Sequence, residues 1–406
     1  MFFAMIMFVV SIVIAALIAE VGFRIYGLFD ENRGLKNCMG SVNQKYHHSF
    51  KPNSRFRLIS SVPGEYDVGV HINNYGFRGH DVAMEKKPGV IRIMAVGDSF
   101  TFGVGANDDE TIPSLIEQGL RMQNINAEMI NAGFGSYSTV LHYLRLRDEY
   151  LEFKPDLVLL LFDFSDLADD WRGERSLIYD KSGNILRCDP VYVDGKYDWQ
   201  LVICSHSRLC SYSHNKIIRT IEKIRILGFA NYIKAKLAGK RAKSLIIANE
   251  NAYYSGRDPV EYDGYLMIRG RERLPYILEH FKRTEKYLNK IKELLAARHI
   301  PMILVIYPYG IHVGPDEWAQ GRVYWGFEKG RVYSDYYAFD LLENYAHDNG
   351  IPCINLLPEF LKNRDKKLFF DVDGHFTPEA NHIAAQAIVL DSKFTDEVFN
   401  KYKKES

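Results

Sequence analysis

The chain has 406 residues, with 51 Lys and Arg against 51 Asp and Glu, and apolar residues make up 47% of it. Those proportions belong to a folded globular protein and exclude a disordered, collagen-like or wholly coiled-coil chain. The even charge also argues against a general nucleic-acid binder, which carries a basic excess.

Met1 to Ala19 carries no charge, and its one polar residue is Ser11. As a helix this run reaches roughly 28 Å, close to the hydrocarbon thickness of a bilayer. No Lys or Arg precedes it and no A-x-A cleavage site follows, so the pattern predicts an uncleaved membrane anchor over residues 1–28 rather than a removed signal peptide. Arg24, Arg33 and Lys36 flank its C-terminal end, mixed with Asp30 and Glu31. Taken literally, the positive-inside rule would leave the body of the protein in the cytoplasm.

Residues 29–89 are polar and turn-rich, with strand-like stretches such as Tyr66 to Ile72. From Val90 the texture changes. Val90 to Val96 is a short apolar run ending in Gly97, which suits a buried strand. Pro113 opens a helical stretch through about Met122. Glu128 to Asn131 reads as a strand, Thr139 to Tyr150 as a helix, and Asp156 to Phe164 as an almost wholly apolar central strand. Arg273 to Arg298 reads as a helix, Pro301 to Tyr307 as a strand, Ser334 to Asp348 as a helix, Pro352 to Leu356 as a strand and Pro378 to Leu390 as a last helix. Alternating strands and helices of these lengths predict one α/β domain over residues 90–400, a parallel sheet covered on both faces. Functional groups in such sheets gather at the carboxyl ends of the strands.

The rhythm breaks over about 170–271, which reads as an insertion. Within it, Lys216 to Lys243 holds nine basic residues and one acid, Glu222, with Ile217, Ile218, Ile221, Ile224 and Leu227 near helical spacing. A solvated helix face packed on the core is the plainer reading of that segment; contact with a membrane surface or an anionic polymer is the lesser one. The five cysteines (Cys38, Cys188, Cys204, Cys210, Cys353) show no C-x-x-C pair and no zinc spacing, and an odd number excludes a fully paired intramolecular framework.

The first strand of the domain ends in Gly97-Asp98-Ser99-Phe100-Thr101-Phe102-Gly103, which places a hydroxyl at the mouth of the sheet. A second constellation, Asp371-Val372-Asp373-Gly374-His375-Phe376-Thr377-Pro378, follows the last strand and so falls on the same edge. Serine is a poor nucleophile until a base takes its proton; histidine does this near neutral pH when a carboxylate holds its tautomer. Ser99, His375 and Asp373 supply those groups, with Asp371 as the alternative carboxylate. Asp163, Asp166, Asp169 and Asp170 cluster after the third strand, but without a His or Cys partner they read as solvated or capping carboxylates rather than a cation site. Arg78 reads as a structural ion-pair residue. No P-loop or GxGxxG fingerprint is present, and neither a cofactor nor a metal is expected.

At these residues the sequence resembles the SGNH or GDSL-type serine hydrolases, over about Asn73 to Ile388. The motifs that carry the resemblance are Asn73-Asn74-Tyr75-Gly76-Phe77-Arg78-Gly79, the Gly-Asp-Ser stretch at Ser99, Asn131-Ala132-Gly133-Phe134-Gly135-Ser136-Tyr137-Ser138-Thr139, Asp156-Leu157-Val158, and Asp373-Gly374-His375. The resemblance implies a flavodoxin-like three-layer fold with Ser99 as nucleophile and His375 as base. It also implies acyl transfer from oxygen, with the Asp-x-His spacing of alginate O-acetylation components. The expected substrate is an acetylated cell-surface carbohydrate or another acyl ester, and the catalytic body is expected on the exported side. Two positions depart from the family pattern. Ser136 stands where Gly is frequent, and Ser165-Asp166 stands where an Asn-Asp pair is usual. The implied oxyanion donors are therefore the backbone N–H groups of Ser99 and Ser136 and the hydroxyl of Ser165. One lost donor costs about 2.7–4 kcal/mol of transition-state stabilisation, so a slow or narrowly specific esterase is expected. An O-acyltransferase, or a silent polysaccharide-binding scaffold, is the alternative.

Overall fold

The computed structural model describes residues 2–26, 39–43, 45–60, 62–199, 202–203, 207, 210 and 258–405. The basic segment Lys216 to Lys243, Cys38 and Cys204 lie outside the described residues. Helix α1, Phe2–Tyr26, contains an 18-residue stretch, Met5–Gly22, of mean hydropathy 2.5 with none of it buried against the rest of the chain. It is long and apolar enough to cross a membrane.

Two antiparallel hairpins come next: β1 (Met39–Asn43) with β2 (His47–Phe50), and β3 (Ser54–Ile59) with β4 (Asp67–Ile72). In β3 and β4 buried and more open residues alternate, the mark of a sheet with one face on a core. The domain proper then begins with β5 (Ile91–Gly97), every residue of which is buried. Helix α2 (Ser99–Phe102) is a single turn, and α3 (Ile112–Met122) follows, capped by the Thr111 side chain with Pro113 in its first turn. Strand β6 (Ala127–Gly133) leads to α4 (Thr139–Asp148), and β7 (Leu157–Phe162), again fully buried, to α5 (Asp166–Arg175).

The described part of the insertion forms two small hairpins, β8 (Leu177–Tyr179) with β9 (Ile185–Cys188) and β10 (Tyr192–Val193) with β11 (Lys196–Tyr197). The first is bridged to the lead-in at Tyr46 and Cys188. The α/β rhythm resumes with α6 (Leu274–Ala296), β12 (Met302–Ile306), α7 (Tyr337–Asp348), β13 (Cys353–Asn355), α8 (Pro378–Leu390) and α9 (Ser392–Glu405).

The five main strands are parallel and run in the order β13-β12-β7-β5-β6. Numbered within the sheet this is 2-1-3-4-5, the flavodoxin-like doubly wound order. Helices cover both faces; α3 packs on α8, and α6 packs on α4 and α5. The switch in strand direction of travel falls between β5 and β7, where such sheets open a crevice at their carboxyl ends. Ser99 follows β5 and Ser165 follows β7, so the fold delivers both to that crevice.

The lead-in hairpins are part of this arrangement. Phe50, Phe56, Leu58, Val68, Val70 and Ile72 share a core with Phe102, Phe134 and Tyr137. The Phe50 ring lies 5.1 Å from that of Phe102 and 4.1 Å from that of Phe134. Burying a side chain of this size is worth about 1.5–3 kcal/mol. The hairpins are thus fastened to the turn that carries Ser99 and to the loop that carries Ser136.

Candidate active site

Local chemistry shapes the turn at Ser99. Asp98 caps α2 by accepting from the Phe100 N–H at 2.9 Å, and Gly103 closes it at φ +89°. Gly97 and Gly133 face each other in register at the ends of β5 and β6. A Cβ on Gly97 would collide with Thr101, and one on Gly133 with the backbone at Phe102, so the two glycines let α2 sit directly across the strand ends. Buried Arg78 fixes the far side. It pairs with Asp108 at 2.8 Å and donates to the carbonyls of Phe102, Gly103 and Ala106 at 2.9, 2.7 and 2.6 Å. Its role is the structural ion pair expected from the sequence, and it also braces the turn that carries Ser99.

The C-terminal loop closes the other side. The Ser99 Oγ lies 2.7 Å from His375 Nε2. His375 Nδ1 is hydrogen-bonded to Asp373 Oδ1. His375 and Asp373 side chains are 21% and 25% exposed, so both remain open to solvent. Burial disfavours the charged forms of both, yet their mutual attraction outweighs it: the Asp373 carboxyl is held below its ordinary range and the His375 imidazole above its own. Asp371 does not share in this. Its half-exposed carboxylate pairs with Lys367 at 2.7 Å.

Several residues that no sequence motif singled out hold the loop. Tyr66 donates its hydroxyl to Asp373 Oδ2 at 3.0 Å. Glu65 Oε1 accepts from the Val372 N–H at 2.7 Å and from the Asp373 N–H at 3.4 Å, while Oε2 accepts from Ser60 Oγ at 2.7 Å. The Trp318 indole N–H donates to the Val372 carbonyl at 3.3 Å, and its ring occupies the space a Cβ on Gly374 would need. Gly374 sits at φ +88°, a conformation that only glycine takes readily.

On the β6 side, Gly135 lies beside Ser99; a Cβ there would make an ordinary contact with the Ser99 Cβ at 4.0 Å. Ser136 adopts φ +60°, in the left-handed region that favours glycine on steric grounds. Among the described residues, neither the Ser99 N–H nor the Ser136 N–H has a protein acceptor. Ser165 stands just before α5; its N–H donates to Asp163 Oδ1 at 2.6 Å, and its hydroxyl makes no hydrogen bond among the described residues.

Behind Ser99 the structure departs from the sequence reading. Asp163, Asp166 and Asp170 are buried, not solvated. The Tyr307 hydroxyl lies 3.1 Å from both Asp98 Oδ1 and Asp163 Oδ2, and Tyr309 donates to Asp163 at 2.6 and 2.8 Å. Burial, reinforced by the Asp163 charge, pushes the Asp98 carboxyl up to about 7. Burial and the neighbouring carboxylates, Asp170 foremost, likewise raise Asp166. Asp170 is satisfied by Thr139, Thr284 and the Val140 N–H at 2.7, 2.7 and 3.0 Å. Only Asp169 keeps the expected surface role, paired with Arg172 at 2.6 Å. β7 is central, so the side chains at and just past its end point into the interior, where Tyr307 and Tyr309, which follow β12, cover them. Among the described residues, no three His, Cys, Asp or Glu side chains converge to hold a metal ion.

No protein-family model and no curated protein matches the chain. Among solved structures it is similar to an acetyl xylan esterase, AlAXEase, with 14% identity, 73% of this chain and 97% of that chain covered, and a TM-score of 0.35. It is similar to AlinE4, an SGNH-hydrolase family esterase, with 17% identity, coverage of 69% and 80%, and a TM-score of 0.29. A lipase/acylhydrolase from Enterococcus faecalis gives 15% identity, coverage of 74% and 93%, and a TM-score of 0.34.

Proposed function

We propose that the chain is a serine-dependent esterase that forms an acyl-enzyme on Ser99. The observation that carries this reading is the continuous chain of hydrogen bonds from Ser99 Oγ through His375 to Asp373, beside two backbone N–H groups with no protein acceptor. Ser99 Oγ attacks the ester carbonyl carbon while His375 Nε2 takes its proton. Asp373 stabilises the resulting imidazolium and fixes the tautomer. The carbonyl oxygen, now negative, accepts from the N–H groups of Ser99 and Ser136 and from the Ser165 hydroxyl. His375 returns the proton to the departing alkoxide. It then deprotonates a water that releases the acid and restores Ser99.

The motif resemblance favours acetyl as the acyl group and a cell-surface carbohydrate as its carrier. Helix α1 is read as a single-pass anchor with the body exported. A C-terminal reporter active only in one compartment decides the orientation.

A serine-directed fluorophosphonate tests the chemistry. Labelling that disappears in Ser99→Ala and weakens in His375→Ala supports the esterase. A folded parent that takes no label is a silent domain. Offering an activated acetyl donor with and without oligosaccharide separates the two active forms, because an acetylated sugar would mark a transferase.

A further inference from the structure

The hydrogen bonds around Ser136 give work to a residue outside the proposed mechanism. His48, in β2, directs Nε2 at the carbonyl oxygen of Gly135, 2.8 Å away. Its other nitrogen, Nδ1, faces Nδ1 of His47 at 2.9 Å. One proton assignment satisfies both contacts with neutral rings. Nε2–H of His48 donates to the carbonyl, and Nδ1–H of His47 donates to the bare Nδ1 of His48. Burial lowers the pKa of both imidazoles, His47 to about 4, so the neutral rings this assignment requires are the stable form near neutral pH. The His48 ring is set edge-on to Phe134 and Tyr137, with centroids 5.0 and 4.9 Å away. The Tyr137 hydroxyl donates back to the His48 carbonyl. The loop 134–137 is therefore tied to β2 from both sides.

A trans peptide unit is planar, with its C=O and N–H pointing in opposite directions. The C=O of Gly135 and the N–H of Ser136 belong to one such unit. Holding the carbonyl on His48 turns the Ser136 N–H away from β2 and leaves it without a protein acceptor. The same contact helps to keep Ser136 in a left-handed conformation, at φ +60°, that a serine leaves readily when unrestrained. We propose that His48 is a positioning residue for the oxyanion donor: by gripping the Gly135 carbonyl it sets the direction of the Ser136 N–H. This assignment rests on the reading of Ser99 as an acylated nucleophile.

The test uses 4-nitrophenyl acetate as the substrate probe and compares the full chain with His48→Phe and His48→Gln. Phenylalanine keeps a ring against Phe134 and Tyr137 but has no donor, whereas the glutamine amide nitrogen reaches about as far as Nε2. In His48→Phe, kcat is expected to fall about ten- to a hundredfold, below the hundred- to thousandfold ceiling for losing one oxyanion donor outright. KM should stay within about twofold and the acid limb of the rate profile should not move, because uniform binding and the His375 pair are untouched. His48→Gln should recover most of kcat. If His48→Phe does not fold, His48→Asn replaces it: its amide is too short to reach, so kcat should fall below that of His48→Gln at equal thermal stability.

A folded His48→Phe with parental kcat overturns the proposal, as do equal losses in the donor and non-donor variants. A parent that neither hydrolyses the ester nor takes a fluorophosphonate overturns the esterase reading and this assignment with it. A parent that does both, with an indifferent His48→Phe, overturns this assignment alone.

Discussion

Tyr66 and Asp373 stand 307 positions apart in the chain, and the hydroxyl of the first donates a 3.0 Å hydrogen bond to Oδ2 of the second. The carboxylate that orients His375 is therefore itself oriented by the lead-in. A hydrogen bond to a charged group contributes about 1.5–3 kcal/mol, which bounds the loss in Tyr66→Phe. We expect kcat to fall about tenfold and folding stability to fall by no more than that amount. The hydroxyl helps to hold Asp373 ionised; without it the carboxylate competes harder for the His375 proton, and the acid limb of kcat/KM moves to higher pH. A parental rate profile in Tyr66→Phe would remove Tyr66 from the site.

Asp373→Asn should move that limb the other way. His375 must be neutral to accept the Ser99 proton, and Asp373 is the chief influence holding its pKa up against burial. Once that charge is gone, burial lowers the pKa and activity begins at lower pH. The rate itself should drop by about 10⁴-fold, as expected when a triad carboxylate is replaced and the tautomer is lost. Opposite displacements in the two variants, measured on one substrate, are the signature to look for.

Gly374→Ala asks two things of one methyl group. It must accept φ +88° and it must share space with the Trp318 indole. The first costs about 1–2 kcal/mol. The second, as overpacking, costs about 1–3 kcal/mol. Denaturant titration should show a loss within the sum of those ranges, with fluorophosphonate labelling of Ser99 reduced. A loss of only about 1–2 kcal/mol, the backbone share alone, would mean that Trp318 yields, and a variant as stable as the parent would mean that the loop re-forms around the methyl.

Ser165→Ala isolates the third proposed donor. If the hydroxyl contributes, kcat falls by up to about a hundredfold at unchanged KM. An unchanged kcat would leave the two backbone N–H groups as the whole oxyanion site.

Asp98 makes stability depend on pH. Its folded-state pKa, about 7, lies above the ordinary 3.8, so between those values the folded chain binds more protons than the unfolded one. Stability is then lost as pH rises from about 4 to about 7. Asp98→Asn has no proton to lose and still accepts from the Phe100 N–H through its Oδ1. Its stability relative to the parent should grow across that window, by up to a few kcal/mol. Urea midpoints at pH 5 and pH 8 measure it; parallel curves would place the missing proton elsewhere in the cluster.

The sheet was legible because its signals are local. Each main strand is an apolar run with a turn residue at its end, and Gly97 and Gly374 lie within a few residues of Ser99 and His375. Ser99, His375 and Asp373 could be read from motif and strand-edge position together. Glu65, Tyr66, His48 and Trp318 could not, because their work depends on tertiary contacts between distant segments. The burial of Asp163 and Asp166 is illegible for a related reason: a loop carboxylate is exposed or roofed according to what packs above it, and Tyr307 and Tyr309 arrive from more than a hundred residues downstream, while Asp163 still accepts from the Ser165 N–H as a capping carboxylate does.

Asp373 and His375 lie two positions apart on one loop, whereas Ser99 belongs to a different layer of the chain. The two therefore travel together whenever that loop shifts, and the Phe100 ring, with centroid 4.7 Å from that of His375 and 4.8 Å from that of Phe376, clamps the loop to the turn that carries Ser99. Heat that parts Ser99 from His375 must also unpack those rings, so the alignment of the three side chains should persist until the core around them melts.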